Sequence, residues 1–293
     1  MNKEARQSLT AFPLVLLIGG AMAWAGSQGG LEVRGMPLFA LCAVLAFLMN
    51  WIVFVPAFVY QTERYFDLTG SLTYLSLVVV ALIGQGAPDA RASLLAGLVA
   101  IWSARLGSFL FTRILREGSD QRFDALKPSL PRFFMTWTLQ GLWVLLTLAA
   151  ALAAMTSAHR QPLGAFAVLG TAVWVVGFAI EVTADRQKRR FRADPANRGR
   201  FIQSGLWAWS QHPNYFGEIT LWSGIAIIAL PVLAGWQYVA LISPVFVYVL
   251  LTRVSGIPML EARAEARWGD DAQYRAYRDR TPILFPRPPR SVG

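Results

Sequence analysis

The sequence predicts an all-α fold: a polytopic integral membrane helical bundle of about eight transmembrane helices, plus a short cytoplasmic C-terminal helix. Three observations carry this. Of the 293 residues, 55% are hydrophobic and only 15% are charged, whereas a soluble domain carries about 25% charged residues. The stretches 7–31, 35–62, 68–88, 133–158, 161–180 and 219–252 contain no Asp, Glu, Lys or Arg, and roughly 20 apolar residues cross about 30 Å of hydrocarbon. The Lys and Arg residues then fall almost entirely on one side of the membrane once spans are drawn through those stretches.

Taken in order, spans are expected at about 9–26, 37–60, 70–86, 92–112, 133–156, 162–182, 216–231 and 236–254. The first follows Lys3 and Arg6 but has no convincing small-residue cleavage site, so it reads as a span rather than a leader. The fourth is apolar apart from Arg105. The stretch 219–252 is too long for one span, and Pro231 and Gly235 in its middle predict a tight hairpin of two helices. With eight spans, 23 Lys and Arg lie on the side of the N-terminus, the 2–3, 4–5 and 6–7 loops and the C-tail. Arg34, Arg91 and Arg160 remain on the other. The positive-inside rule makes both termini cytoplasmic. The tail at about 255–285 is polar with Leu260, Ala264, Trp268, Tyr274 and Tyr277 interspersed, and reads as a short amphipathic helix at the membrane surface. The final Pro286–Arg290 stretch is expected to be loose. The whole, 1–293, reads as a single transmembrane domain.

Composition also excludes. One cysteine, Cys42, rules out a disulfide framework and a multi-thiolate metal site. The net charge of +10 is accounted for by membrane topology, so no nucleic-acid partner is expected. There is no Walker loop, no G-x-G-x-x-G and no serine nucleophile elbow. With only two histidines no His-rich metal site is expected. His159 falls in an outward loop and is expected to be inert.

Polar residues at membrane depth are functional candidates by default. Arg105 sits mid-span, with Arg113 two turns on, and Gly107 and Ser108 would let another helix approach. Span 6 ends in Glu181, Asp185, Arg189 and Arg192, spaced i, i+4, i+8 and i+11, so two acids precede two bases on one stripe. The acids suit hydroxyl or amide groups and the bases suit phosphates; Lys188 and Arg190, off the stripe, read better as topology charges. Span 7 opens with Gln211-His212-Pro213-Asn214-Tyr215-Phe216-Gly217-Glu218. Pro213 is at home in a first helical turn, whose free N–H groups form an anion site. Asn214 and Glu218 share a face, offering an amide and an acceptor, and Tyr215 lies one position round. In the 2–3 loop, Asp67 to Ser71 reads equally as a cap for span 3 or as a substrate contact.

From Arg200 through Gln203, Gly205, Leu206 and Asn214 to Gly217 and Glu218, the chain resembles the C-terminal region of the steroid 5-alpha-reductase family, and more closely bacterial membrane proteins of unknown function grouped with it. The likeness covers about 181–285, which is then a reductase-like region with cytoplasmic cofactor loops. It implies a helical membrane bundle in a bacterial inner membrane, a cofactor, NADPH, entering from the cytoplasm, and a lipophilic small-molecule substrate met within the bilayer. No protein partner is implied. Asp185, Arg192 and Arg200 resemble cofactor contacts, as Arg189 and Arg105 do less closely, and Asn214 and Glu218 the pair that holds the nicotinamide. With Tyr215 these two make the expected catalytic set. Where the reductases place Arg, His and Tyr at i, i+4 and i+8, this chain has Arg253, Ile257 and Glu261, so only Arg253 matches. The proton donor is unassigned; Tyr65, Glu63 and Asp67 are the candidates.

The implied reaction is hydride transfer to a conjugated carbon–carbon double bond. Isoprenylcysteine carboxyl methyltransferases share His212, Pro213, Tyr215 and Glu261 and use S-adenosylmethionine, which gives an alternative. A non-enzymatic membrane protein is the third reading.

Overall fold

The computed structural model describes residues 3–289, which are almost wholly helical. Among the described residues, eight helical segments are long and apolar enough to cross a membrane, as the charge-free stretches predicted. The chain forms two compact units, Met1–Ala167 with Ile228–Ser243, and Val168–Ile227 with Pro244–Gly293.

In the first unit, α1 (Lys3–Ser27), α2 (Leu38–Val59), α3 (Phe66–Gly84) and α4 (Ala90–Glu117) pack around α5 (Leu130–Thr156). The sequence of α5 is apolar on every side, which marks a helix enclosed by others; Ala149 to Ala153 have no exposed surface at all. The outer helices instead turn Leu17, Ile52, Val59 and Ile83 outward, as helices facing lipid do. Gly107 meets Ser71 so closely that an added Cβ would lie 2.6 Å from its Oγ, so the expected close approach at Gly107 is the α3–α4 contact. Between α1 and α2 a two-residue turn, Arg34 (φ 52°) and Gly35 (φ 77°), joins strands β1 (Glu32–Val33) and β2 (Met36–Pro37). Positive φ at both central residues is the hairpin-turn geometry.

Several sequence expectations are corrected here. Arg91, counted as a charge just ahead of the fourth span, lies in the first turn of α4 and is buried; its guanidinium donates to the carbonyls of Ile228 (2.6 Å) and Pro162 (2.9 Å). Neither Asp67 nor Ser71 caps α3: Ser71 Oγ donates to the Asp67 carbonyl at 3.2 Å, and the Asp67 carboxylate accepts from Arg113 at 3.4 Å. Glu63 is buried and accepts from Lys127 Nζ and the Asp120 N–H, both at 2.7 Å. It therefore ties the 2–3 loop to the 4–5 loop. Burial would lower the Lys127 pKa, but its bonds to Glu63 and Asp124 outweigh that and raise it.

The second unit holds most of α6 (Ala165–Ala193) and α7 (Pro213–Ala229) and the C-terminal region. The predicted hairpin after α7 is present: 3₁₀ turns at Leu230–Val232 and Gly235–Leu241 flank the break, with Gly235 at φ +52°. α8 (Ile242–Val249) runs into a π turn at Leu250–Val254. The tail forms two helices where one was expected, α9 (Ile257–Trp268) and α10 (Ala272–Arg280). Nor is the segment after them loose through Arg287: the Arg287 N–H donates to the Trp209 carbonyl at 3.0 Å. Arg290 lies outside the described residues.

Candidate functional site

The site begins with glycine. A Cβ on Gly177 would lie 2.5 Å from the Leu221 nitrogen, one on Gly217 2.6 Å from the Glu181 nitrogen, and one on Gly224 2.5 Å from the Gly170 carbonyl. The backbones of α6 and α7 therefore touch, as only helices with small residues at the seam can. This antiparallel contact sets the first turns of α7, with Asn214, Tyr215 and Glu218, alongside the Glu181–Asp185 segment of α6.

Along the predicted stripe of α6 burial falls off. Glu181 is buried, Asp185 is half-buried, and Arg189 and Arg192 are exposed. The continuous helix preserves the predicted stripe, with acids deep and bases at its end. The chain then turns at Asp194, whose carboxylate accepts from the Ala196 N–H at 2.9 Å, and at Gly199 (φ +84°), and folds back on α6. Trp207 is the pin: its indole N–H donates to the Ala184 carbonyl at 3.1 Å, and its ring lies 4.3 Å from Lys188 Nζ. Gln187 Oε1 accepts the Leu206 N–H at 2.9 Å, a contact that needs Gly205, whose φ of +62° and crowding by Gln187 exclude a side chain. Phe201 packs on Trp268, Tyr274 and Tyr277, and the Tyr277 hydroxyl donates to the Trp207 carbonyl at 2.8 Å. Arg200 stays exposed.

At the start of α7, Asn214, Tyr215 and Glu218 are half-buried. The Tyr215 ring stacks on His212 with centroids 5.5 Å apart and planes 10° apart, and a Cβ on Gly256 would lie 2.9 Å from it. His212 is buried, and its Nδ1 has no hydrogen-bond partner among the described residues. Burial, reinforced by the Lys188 charge, pushes its pKa down to about 4. The imidazole is thus neutral, and Nδ1 is left without a partner among the described residues.

Asp185, Arg189, Arg192, Arg200, Asn214, Tyr215, Glu218 and Arg253 all belong to the second unit. Arg253 is exposed in the π turn, and the helix breaks at Gly256, so Arg253, Ile257 and Glu261 form no continuous i, i+4, i+8 stripe. Arg105 belongs to the first unit, half-buried on α4, with its guanidinium 5.7 Å from the Phe109 ring centroid. Three contributors were not picked out from the sequence. His212 was weighed only as part of a motif, and Gln187 and Trp207 not at all. The glycine seam did leave a signal: Gly170 and Gly177, and Gly217 and Gly224, are each seven residues apart.

A family described as "Protein of unknown function (DUF1295)" matches residues 53–281. An uncharacterized protein of Schizosaccharomyces pombe is 25% identical, the match covering 70% of this chain and 66% of that protein. The 3-oxo-5-alpha-steroid 4-dehydrogenases 1 of Bos taurus and Rattus norvegicus are each 32% identical over 24% and 29% of this chain. The chain spans about two thirds of the yeast protein's length and under a third of the steroid enzymes'. No solved structure matches.

Proposed function

The chain belongs to the DUF1295 family, a steroid 5-alpha-reductase-like family of membrane proteins, and from that premise we propose that it is an NADPH-dependent reductase of a conjugated carbon–carbon double bond in a lipophilic substrate. One observation carries the reading: the glycine seam sets a half-buried amide and carboxylate, Asn214 and Glu218, beside a helix that ends in exposed arginines. That donor set fits a reduced dinucleotide. Arg189, Arg192 and Arg200 would hold phosphates as multidentate donors, with Arg253 as a further candidate. Asp185 would accept from a ribose hydroxyl. Asn214 and Glu218 would orient the carboxamide end, the amide donating and accepting and the carboxylate accepting only. Bound NADPH supplies the hydride, and the protein supplies position and electrostatics.

Tyr215, its ring fixed by His212, offers a hydroxyl at the same turn as Asn214 and completes the proposed catalytic set. Glu63 is a poor proton donor because Lys127 and Asp120 already occupy both its oxygens. Tyr65 is exposed and stacked on Phe111. The mammalian relatives' names refer to 3-oxo steroids, which supports a flat enone-like substrate reached from the bilayer. The reductase-like region at 181–285 would be the cofactor-holding part of a single transmembrane domain. The bias of 23 basic residues to three supports cytoplasmic termini.

The test is titration of the detergent-purified protein with NADPH, NADH and S-adenosylmethionine. NADPH should bind, Arg200→Ala should weaken it by roughly tenfold or more through loss of a charge-assisted contact, and Asn214→Ala by roughly several-fold through loss of a neutral hydrogen bond. Binding of S-adenosylmethionine alone would move the protein to the methyltransferases. Binding of none would overturn the reading.

A further inference from the structure

We propose that residues 209–212 and 281–287, two segments tied together by backbone hydrogen bonds into a short ribbon, anchor in the headgroup layer on anionic phospholipid, and that the ribbon's seating fixes the start of α7. The ribbon is held by the Gln211 N–H on the Pro282 carbonyl (2.9 Å), the His212 N–H on the Ile283 carbonyl (3.1 Å) and the Arg287 N–H on the Trp209 carbonyl (3.0 Å). Ser210 Oγ donates to the Leu284 carbonyl at 2.8 Å, and Gln211 Nε2 to the Thr281 carbonyl at 2.6 Å. Ser210, Thr281 and Leu284 are buried. Trp209, Ile283 and Phe285 are 42%, 50% and 62% exposed, which leaves an indole, a butyl and a phenyl group open on one short segment.

Position and charge say what covers them. The ribbon's first segment ends one residue before the candidate span Pro213–Val232, so it adjoins the end of that helix. Tryptophan and phenylalanine at such a boundary partition into the headgroup region. The same unit carries exposed arginines at 189, 192, 200 and 253, and Arg287 of the ribbon itself is exposed. Residues 183–215 hold seven Lys and Arg against two acids. Clustered arginines beside a span recruit anionic lipid headgroups. The ribbon's own backbone bonds include those of Gln211 and His212, so lipid that holds it also holds the turn from which Asn214 and Glu218 project. This last step rests on the reading of those two residues as cofactor contacts.

The full chain is reconstituted in nanodiscs of phosphatidylcholine alone or mixed with phosphatidylglycerol. A nitroxide placed at Phe285→Cys, in a Cys42→Ala background, reports depth through collision with lipid-soluble oxygen or a water-soluble nickel chelate. Hydrogen exchange is followed at the amides of Gln211, His212 and Arg287. With phosphatidylglycerol the nitroxide should move toward the oxygen-accessible layer and the three amides should exchange roughly tenfold more slowly. Trp209→Ser with Ile283→Ser should abolish both differences. Equal aqueous access in the two mixtures would overturn the proposal. So would protection that appears in detergent and rises with protein concentration, which would identify a second copy as the occupant. Lipid-dependent protection without NADPH binding would leave the anchor standing and sink the reductase reading. NADPH binding with no lipid dependence would sink the anchor alone.

Discussion

His212 is held neutral by burial and by the nearby Lys188 charge, with a pKa of about 4 against an ordinary 6.5. The folded state therefore binds fewer protons than the unfolded one between those values, and stability present above pH 6.5 is lost as pH falls toward 4. A shift of that size is on the order of 3 kcal/mol. The Tm of the purified protein should fall over that window, and His212→Gln should flatten that part of the slope; an unchanged slope would show that the imidazole does not carry it. The residue types were legible in the sequence here, since His212, Asn214 and Glu218 stand together in one motif. What each side chain touches was not. Glu63 stood out as an acid near the membrane, but its fate was decided by Lys127, 64 positions on. Arg91 read as one more loop charge, although its partners are main-chain carbonyls 71 and 137 positions away.

Between elements, the α6–α7 seam is the feature with the largest leverage. Gly217→Ala would drive a methyl group to 2.6 Å from the Glu181 nitrogen, a backbone atom that cannot swing aside. The helices must separate, at a cost of about 1–3 kcal/mol. The expected outcome is a lower Tm and weaker NADPH binding together. Gly20→Ala on α1, where an added Cβ meets nothing within 4 Å, is the control and should change neither. Span number and limits were readable because hydrocarbon thickness imposes them on local composition. The C-terminal elements were less so. Tyr274 and Tyr277 looked like a surface stripe, but they are buried against Phe201 and Trp207, partners that no local periodicity encodes. The tail after Thr281 looked unstructured because its order comes from backbone bonds to residues 209–212, and such bonds leave no side-chain signature.

At the level of the whole chain, the charge asymmetry can be tested with cysteine. Cys42 is buried, so the native chain offers a silent background for a thiol reagent that cannot cross the membrane. In intact cells His159→Cys should label and Arg275→Cys should not, and both should label after lysis; the reverse pattern would invert the topology. The two units also alternate along the chain, which runs from the first to the second, back for Ile228–Ser243, and out again. That return is not incidental to the first unit. The Arg91 guanidinium needs the Ile228 carbonyl, Ser157 Oγ donates to the Val232 carbonyl at 2.8 Å, and Ser243 Oγ donates to the Thr147 carbonyl. A ribosome that has delivered five spans has therefore made most of the first unit and cannot yet finish it. Helices α1 to α5 must wait in the bilayer, with the Ile228 partner of Arg91 not yet made, while the residues between Thr156 and Ile228 are translated and threaded, so this protein's early life depends on whatever attends an incomplete bundle at the site of insertion.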